Sequence, residues 1–232
     1  NPNQVLAEII ASLRNPDGGV AVAGFYDKVR ELPAEVAAQW KNLGFDAKAF
    51  LGGVGLSIPA GEQDRSVLEQ LWSRPTCEIN GMIGGYTGDG FKTVIPATAS
   101  AKISFRLVAG QDPRKIRDAF RAHVRARIPA DCSVTFTEHG ASPAIAVPTD
   151  GAYLRQALGA LTDEWGQEAA ITASGGSIPV AGEFKRLLGL DTLLIGFAHV
   201  DDRIHSPNEK YNLTSFHKGI RSWVRILAAF AD

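Results

Sequence analysis

Ala99-Ser100-Ala101-Lys102-Ile103-Ser104-Phe105-Arg106-Leu107 is the stretch on which the fold turns. Its apolar residues alternate with Ser100, Lys102, Ser104 and Arg106, the period of two of a strand with one buried face. Directly after it, Asp112-Pro113 opens a helix, because aspartate caps free amides and proline suits the first turn. Ile116, Phe120 and Val124 then recur at helical spacing, and five arginines lie between Arg114 and Arg127. Ser133 to Glu138 alternates again. On the other side, Thr76 to Gly85 is strand-like, a loop follows with Gly84, Gly85, Gly88 and Gly90, and Thr93-Val94-Ile95-Pro96 is extended. The order strand, strand, helix, strand predicts an antiparallel sheet layered on helices.

Further outward, Asn1-Pro2-Asn3 leads straight into Val5, Leu6, Ile9, Ile10 and Leu13, the spacing of an amphipathic helix. The chain thus opens on a helix without an initiator Met, as a proteolytic or engineered fragment would, although removal of a signal peptide leaves a similar end. Pro33-Ala34-Glu35 starts a second helix ended by Gly44, and Ser66 caps a short one through Leu71. Beyond Pro143 to Asp150 the pattern changes. Helices at about 153–165, 179–188 and 214–230 alternate with apolar strand candidates at Ala169 to Thr172 and Thr192 to Phe197, which predicts an α/β layer with buried parallel strands.

Composition narrows the function. The 24 Lys+Arg against 25 Asp+Glu leave a net charge of -1, so no long-range field draws the chain to nucleic acid or an anionic membrane. There is no apolar run of membrane-spanning length and no export signal. Cys77 and Cys132 make no metal-ligand spacing and fit a reducing cytoplasm, as two buried small hydrophobes.

Few residues suggest chemistry. His205 follows an apolar strand candidate, where α/β sheets place their sites, and reads either as a metal ligand or as a solvated turn histidine. Asp201 and Asp202 beside it read as solvated. Ser174-Gly175-Gly176-Ser177 precedes the helix at Pro179; Ser177 can cap that helix or donate to a substrate carboxylate. The turn is neither a P-loop nor a Gly-x-Ser-x-Gly nucleophile elbow. Arg106 and His139 read as surface residues or as donors to a carboxylate. His199 reads as structural, and His123 and His217 as helix-surface positions.

Taken together, Gly88-Asp89-Gly90, Lys92-Thr93-Val94-Ile95-Pro96, Ile103-Ser104-Phe105-Arg106-Leu107-Val108, His139-Gly140, Gly175-Gly176-Ser177-Ile178-Pro179-Val180 and His205-Ser206-Pro207-Asn208-Glu209-Lys210 carry a resemblance. In this order and spacing the chain resembles the carnosinase-like branch of the zinc peptidases, a family that also contains aminoacylases and succinyl-diaminopimelate desuccinylase.

That resemblance implies an α+β lid, a four-stranded antiparallel sheet with helices on one side, over residues 1–145, followed by an α/β remnant of the catalytic domain over residues 146–232. It implies pairing of lids into a homodimer, Thr93 reaching the partner's site, and Arg106, His139, Gly176 and Ser177 holding the substrate's terminal carboxylate and neighbouring polar atoms. His205 matches the last ligand of a site for two zinc or manganese ions. The remaining ligands, a Glu general base and a His-Ser-Gly segment belong upstream of Asn1. The implied parent is a dipeptidase or exopeptidase acting beside a free C-terminal carboxylate, or alternatively an N-acyl-amino-acid amidohydrolase. The chain itself, with no catalytic residue, is expected to be inactive and to retain no metal, or else to be a non-catalytic dimerisation module. Ala173-Ser174 stands where related sequences commonly have Arg-Glu.

Overall fold

The computed structural model describes residues 1–175 and 178–231. The described residues contain eight α-helices and one two-stranded antiparallel sheet. They fall into two compact units, Asn1–Ile145 with Ala173–Gly182, and Ala146–Thr172 with Glu183–Asp232.

In the first unit, α1 (Pro2–Ala11), α2 (Ala34–Lys41), α3 (Ala47–Gly52) and α4 (Val67–Trp72) precede β1 (Thr76–Gly84), β2 (Ala99–Arg106) and α5 (Pro113–Arg125). Local chemistry sets the helix ends. The Asn1 side chain accepts from the Asn3 amide, Asp112 accepts from Arg114, and Ser66 with Glu69 forms a reciprocal capping box. The ladder runs from Thr76 opposite Arg106 to Gly84 opposite Ala99, with a bulge between Ile79 and Gly81.

The core lies under the apolar face of β2. Leu13, Val20, Val22, Phe25 and Ile116 are buried, with Ile103, Phe105, Leu107 and Phe120 packed against them. Aromatic rings join these pieces across long sequence distances: Phe25 to Phe105 at 5.8 Å, Phe105 to Phe120 at 5.3 Å and Phe120 to Phe136 at 6.2 Å between centroids. A smaller cluster of Val36, Trp40 and Leu68, with Trp72 at its edge, also takes Ala173.

The four-stranded sheet is not present; among the described residues β1 and β2 are its whole extent. Ser133 to Glu138 keeps the alternation, with Val134 and Phe136 half-buried and Ser133, Thr135 and Thr137 exposed, but forms no ladder. It is held instead through Phe136, which meets Phe120 and lies under the guanidinium groups of Arg121 and Arg125. Thr93 to Pro96 is likewise outside any strand. Alternation reports which side chains face the core; ladder formation needs a backbone partner in register, and the pattern does not contain that information.

The second unit corrects the α/β expectation in the same way. Its elements are α6 (Ala152–Trp165), the remainder of α7 (Pro179–Leu188), a single 3-10 turn (Val200–Asp202) and α8 (Leu213–Ala231). The stretches 169–172 and 192–197 form no strand and pair with nothing in a sheet among the described residues. Two strands alone make a poor parallel sheet, which needs several strands covered on both faces. The unit is held by α6 against α8: Ala157, Ala160 and Ile226 are buried, with Leu161, Leu193, Ile195 and Phe230 around them. No described helix is long and apolar enough to cross a membrane.

Candidate functional site

Arg106 ends β2 opposite Thr76, exposed on the face away from Phe105, as the alternation requires. His139 is exposed in the extended segment after Glu138, whose carboxylate accepts from Arg117 and Arg121, and it is followed by Gly140 at φ 138°. Thr93 is exposed in the loop joining β1 to β2. That loop is ordered by its own contacts: Tyr86 Oη donates to the Asp89 carbonyl at 2.8 Å, and the Lys92 ammonium lies 4.5 Å from the Tyr86 ring centroid. Beside it opens a shallow hollow of about 510 Å³ lined by Ile83 to Tyr86, Lys92, Val94 to Pro96 and Thr98 to Ser100. Thr93, Arg106 and His139 therefore share one unit, on a loop, a strand end and an extended segment. Gly176 and Ser177 lie outside the described residues; Pro179 begins α7 just beyond them, as read from the sequence.

His205 belongs to the second unit. Its ring is exposed, on a loop in which Arg203, His205 and Asn208 all have positive φ, at 54°, 61° and 62°. Asparagine and histidine are enriched in that conformation, whereas arginine is not. The loop's base is built from residues the sequence reading treated as solvated or left aside. Asp202 is 1% exposed. Its carboxylate accepts from the His199 amide at 2.7 Å and from Lys210 Nζ at 2.9 Å, and its carbonyl accepts from the Lys210 amide at 3.0 Å. The His199 amide, and then Lys210, hold the Asp202 carboxyl below the usual range; Lys210 does the same for Asp201. The His199 ring sits 2.8 Å from the hydroxyl of fully buried Ser215 on α8, so His199 is structural, as read.

Two further readings change. His123 is not on the surface: it is 8% exposed, with Nε2 2.9 Å from Ser12 Oγ, joining α5 to the end of α1. Since Ser12 already donates to the Ile9 carbonyl, its oxygen accepts from the imidazole. Burial, and then the nearby Arg127, push the His123 pKa down. Cys77 and Cys132 are only half-buried, and burial raises the Cys77 thiol to about 11, far from a reactive thiolate.

A metal site needs several converging donors. Among the described residues no group of three or more His, Cys, Asp and Glu is placed to hold a metal ion. The described residues by themselves therefore do not assemble a two-metal site.

Comparison with known proteins adds the context these fragments of a site lack. Residues 1–132 match the peptidase dimerisation domain family. The Cys-Gly metallodipeptidase DUG1 of Candida albicans is 26% identical over 226 residues, covering 95% of this chain and 46% of the relative. Human beta-Ala-His dipeptidase is 28% identical, covering 99% of this chain and 45% of its own length. Among solved structures, the M20 family metallo-carboxypeptidase Sso-CP2 from Sulfolobus solfataricus is 30% identical with a TM-score of 0.85, over 98% of this chain and 52% of that one. The chain spans about half the length of the curated relatives it matches.

Proposed function

Because the chain belongs to the M20 peptidases through their dimerisation domain, we propose that it is the lid and the closing part of the catalytic domain of a dinuclear-metal dipeptidase. In this reading residues 1–145 pair two copies, Thr93 reaches the partner's site, and Arg106 and His139, with Gly176 and Ser177, hold the free carboxylate of the substrate. A guanidinium suits that task, since it can make two parallel hydrogen bonds to one carboxylate. His205 is one metal ligand, and the ions, zinc or manganese, supply when bound a polarised water. The remaining ligands and the general base come from outside this sequence, in a protein of the cytoplasm.

The single observation that carries this reading is the extent of the likeness. It does not stop at residue 132 but runs over 95% or more of the chain in DUG1 and in beta-Ala-His dipeptidase, so it includes both units. Those names also favour a dipeptide over an acylated amino acid. The test is a substrate panel of Cys-Gly, beta-Ala-His and N-acyl amino acids, with zinc or manganese, given to the whole protein encoded by the gene and to the 232-residue chain. Dipeptide hydrolysis by the whole protein and none by the chain is expected. Preference for acylated amino acids would move the parent to the amidohydrolases. Turnover by the chain alone, abolished in His205→Ala, would overturn the division of the site.

A further inference from the structure

The loop from Arg203 to Asn208 makes few contacts of its own to explain its shape. One internal backbone bond, from the Ser206 amide to the Arg203 carbonyl at 2.9 Å, spans two of its three left-handed residues, Arg203 and His205, and leaves Asn208 outside. Arg203 is a type for which that conformation is unfavourable, and three left-handed residues fall within six positions, so the surroundings must over-determine the course of the loop. The over-determination is found at the base. Asp202 and Lys210 are joined twice, by the carbonyl–amide bond and by the carboxylate–ammonium pair, which closes the loop into a ring. Asp202 is then tied backwards to the His199 amide, and the His199 ring is tied to Ser215, fully buried on α8.

We propose that the Asp202–Lys210 clasp, seated on α8 through His199 and Ser215, is the positioning device that holds the 203–208 loop in its left-handed course and so fixes the presentation of His205. A carboxylate 1% exposed, with both oxygens used across the mouth of one loop, is not the arrangement of a solvated turn. Lys210 is half-exposed and also meets Asp201 at 3.0 Å, so its charge is shared between a buried and an exposed carboxylate. The buried partner fixes the position of the ammonium; the exposed one adds little. Asp202 and Lys210 are positioning residues, and their relevance to metal binding rests on the reading of His205 as a ligand.

The two readings separate by experiment. Amide hydrogen exchange in the 232-residue chain, without metal, reads the clasp alone. Lys210→Met is expected to speed exchange at Ser206 by about tenfold or more and to average the His205 ring signals, while Ser222 and Ile226 in α8 keep their protection. Lys210→Arg should restore much of the loss. Because Lys210→Met leaves a buried charge without its partner, Asp202→Asn/Lys210→Met serves as the second variant: it should recover the melting temperature and leave the loop unprotected. Unchanged loop exchange, or equal loss along α8, would overturn the positioning role. Zinc titrated to millimolar concentration and read at the His205 ring tests the ligand reading. A shift weakened several-fold in Lys210→Met is expected, and a shift equal in both proteins would sever the clasp from metal binding even if the exchange results hold.

Discussion

The first unit buries its apolar surface with large rings brought together from distant parts of the chain, whereas the second buries small residues along one helix face. Phe25 is fully buried and its ring meets that of Phe105 on β2, with Leu13, Val20 and Ile116 around it. In α8 the inward positions are Ser215, Gly219, Ser222 and Ile226, a row at helical spacing. The adjoining row, Phe216, Ile220, Trp223 and Leu227, each one position on from an inward residue, is exposed, as are Leu187, Leu190 and Leu194. In the first unit the exposed apolar residues gather instead in the hairpin and in the 43–58 stretch, including Phe91, Ile83 and Ile58. The difference teaches which perturbation each unit resists: a core of large rings suffers from truncation, and a close helix contact made by small residues suffers from enlargement.

Phe25→Ala should therefore have the largest effect. It removes the ring at the centre of the first core, and a loss of about 3–5 kcal/mol is expected. Denaturation followed by the fluorescence of Trp40 and Trp72 would show it, and a loss under 1 kcal/mol would mean that this core is not what holds the unit. In the second unit the corresponding change is an addition. A Cβ at Gly219 would lie 3.0 Å from Phe197 Cδ2, in a ring stacked on Trp165. Gly219→Leu should cost about 1–3 kcal/mol and disturb Trp165 fluorescence, while Ile220→Leu on the exposed row should cost nothing measurable. Ser66→Ala should cost about 1 kcal/mol, since it opens the capping box on α4.

Acid sharpens the contrast more gently. The folded pKa of His123 lies below its ordinary 6.5, so the unfolded chain takes up the proton first. Its contribution is complete above that value and is lost as pH falls through the folded pKa. Glu164, held below its ordinary 4.5 by Arg221 and then Arg225, contributes in the second unit until the pH falls through its own lowered value. Melting curves between pH 7.5 and 5.5 should show the first unit weakening before the second, and His123→Gln should flatten that dependence.

The helices were legible because capping residues and a 3.6-residue period are local: Pro2, Asp112-Pro113 and Ser66 mark their own elements. The strand character of β1 and β2 was legible for the same reason, being written in their own residues. What failed was long-range. Val134 and Phe136 alternate as a strand does, yet the partner of Phe136 is α5. Thr192 to Phe197 is apolar as a parallel strand is, yet lies against helices. Of the candidate site, the polar face on which Arg106 stands was readable from the alternation, but the burial of Asp202 was not, because its partner Lys210 stands eight residues away across a loop. The burial of His123 depends on Ser12, 111 positions distant.

The most direct test of the account is the mass of the chain in solution. Light scattering at micromolar concentration should give twice 24.8 kDa, since the first unit is a dimerisation domain. The exposed row of α8 offers a competing route to association, so the same measurement on Ile220→Lys/Leu227→Lys is the decisive arm. The account predicts that this variant remains a dimer. A monomer of 24.8 kDa in the unaltered chain, or a dimer that dissociates when only the α8 row is charged, would contradict it.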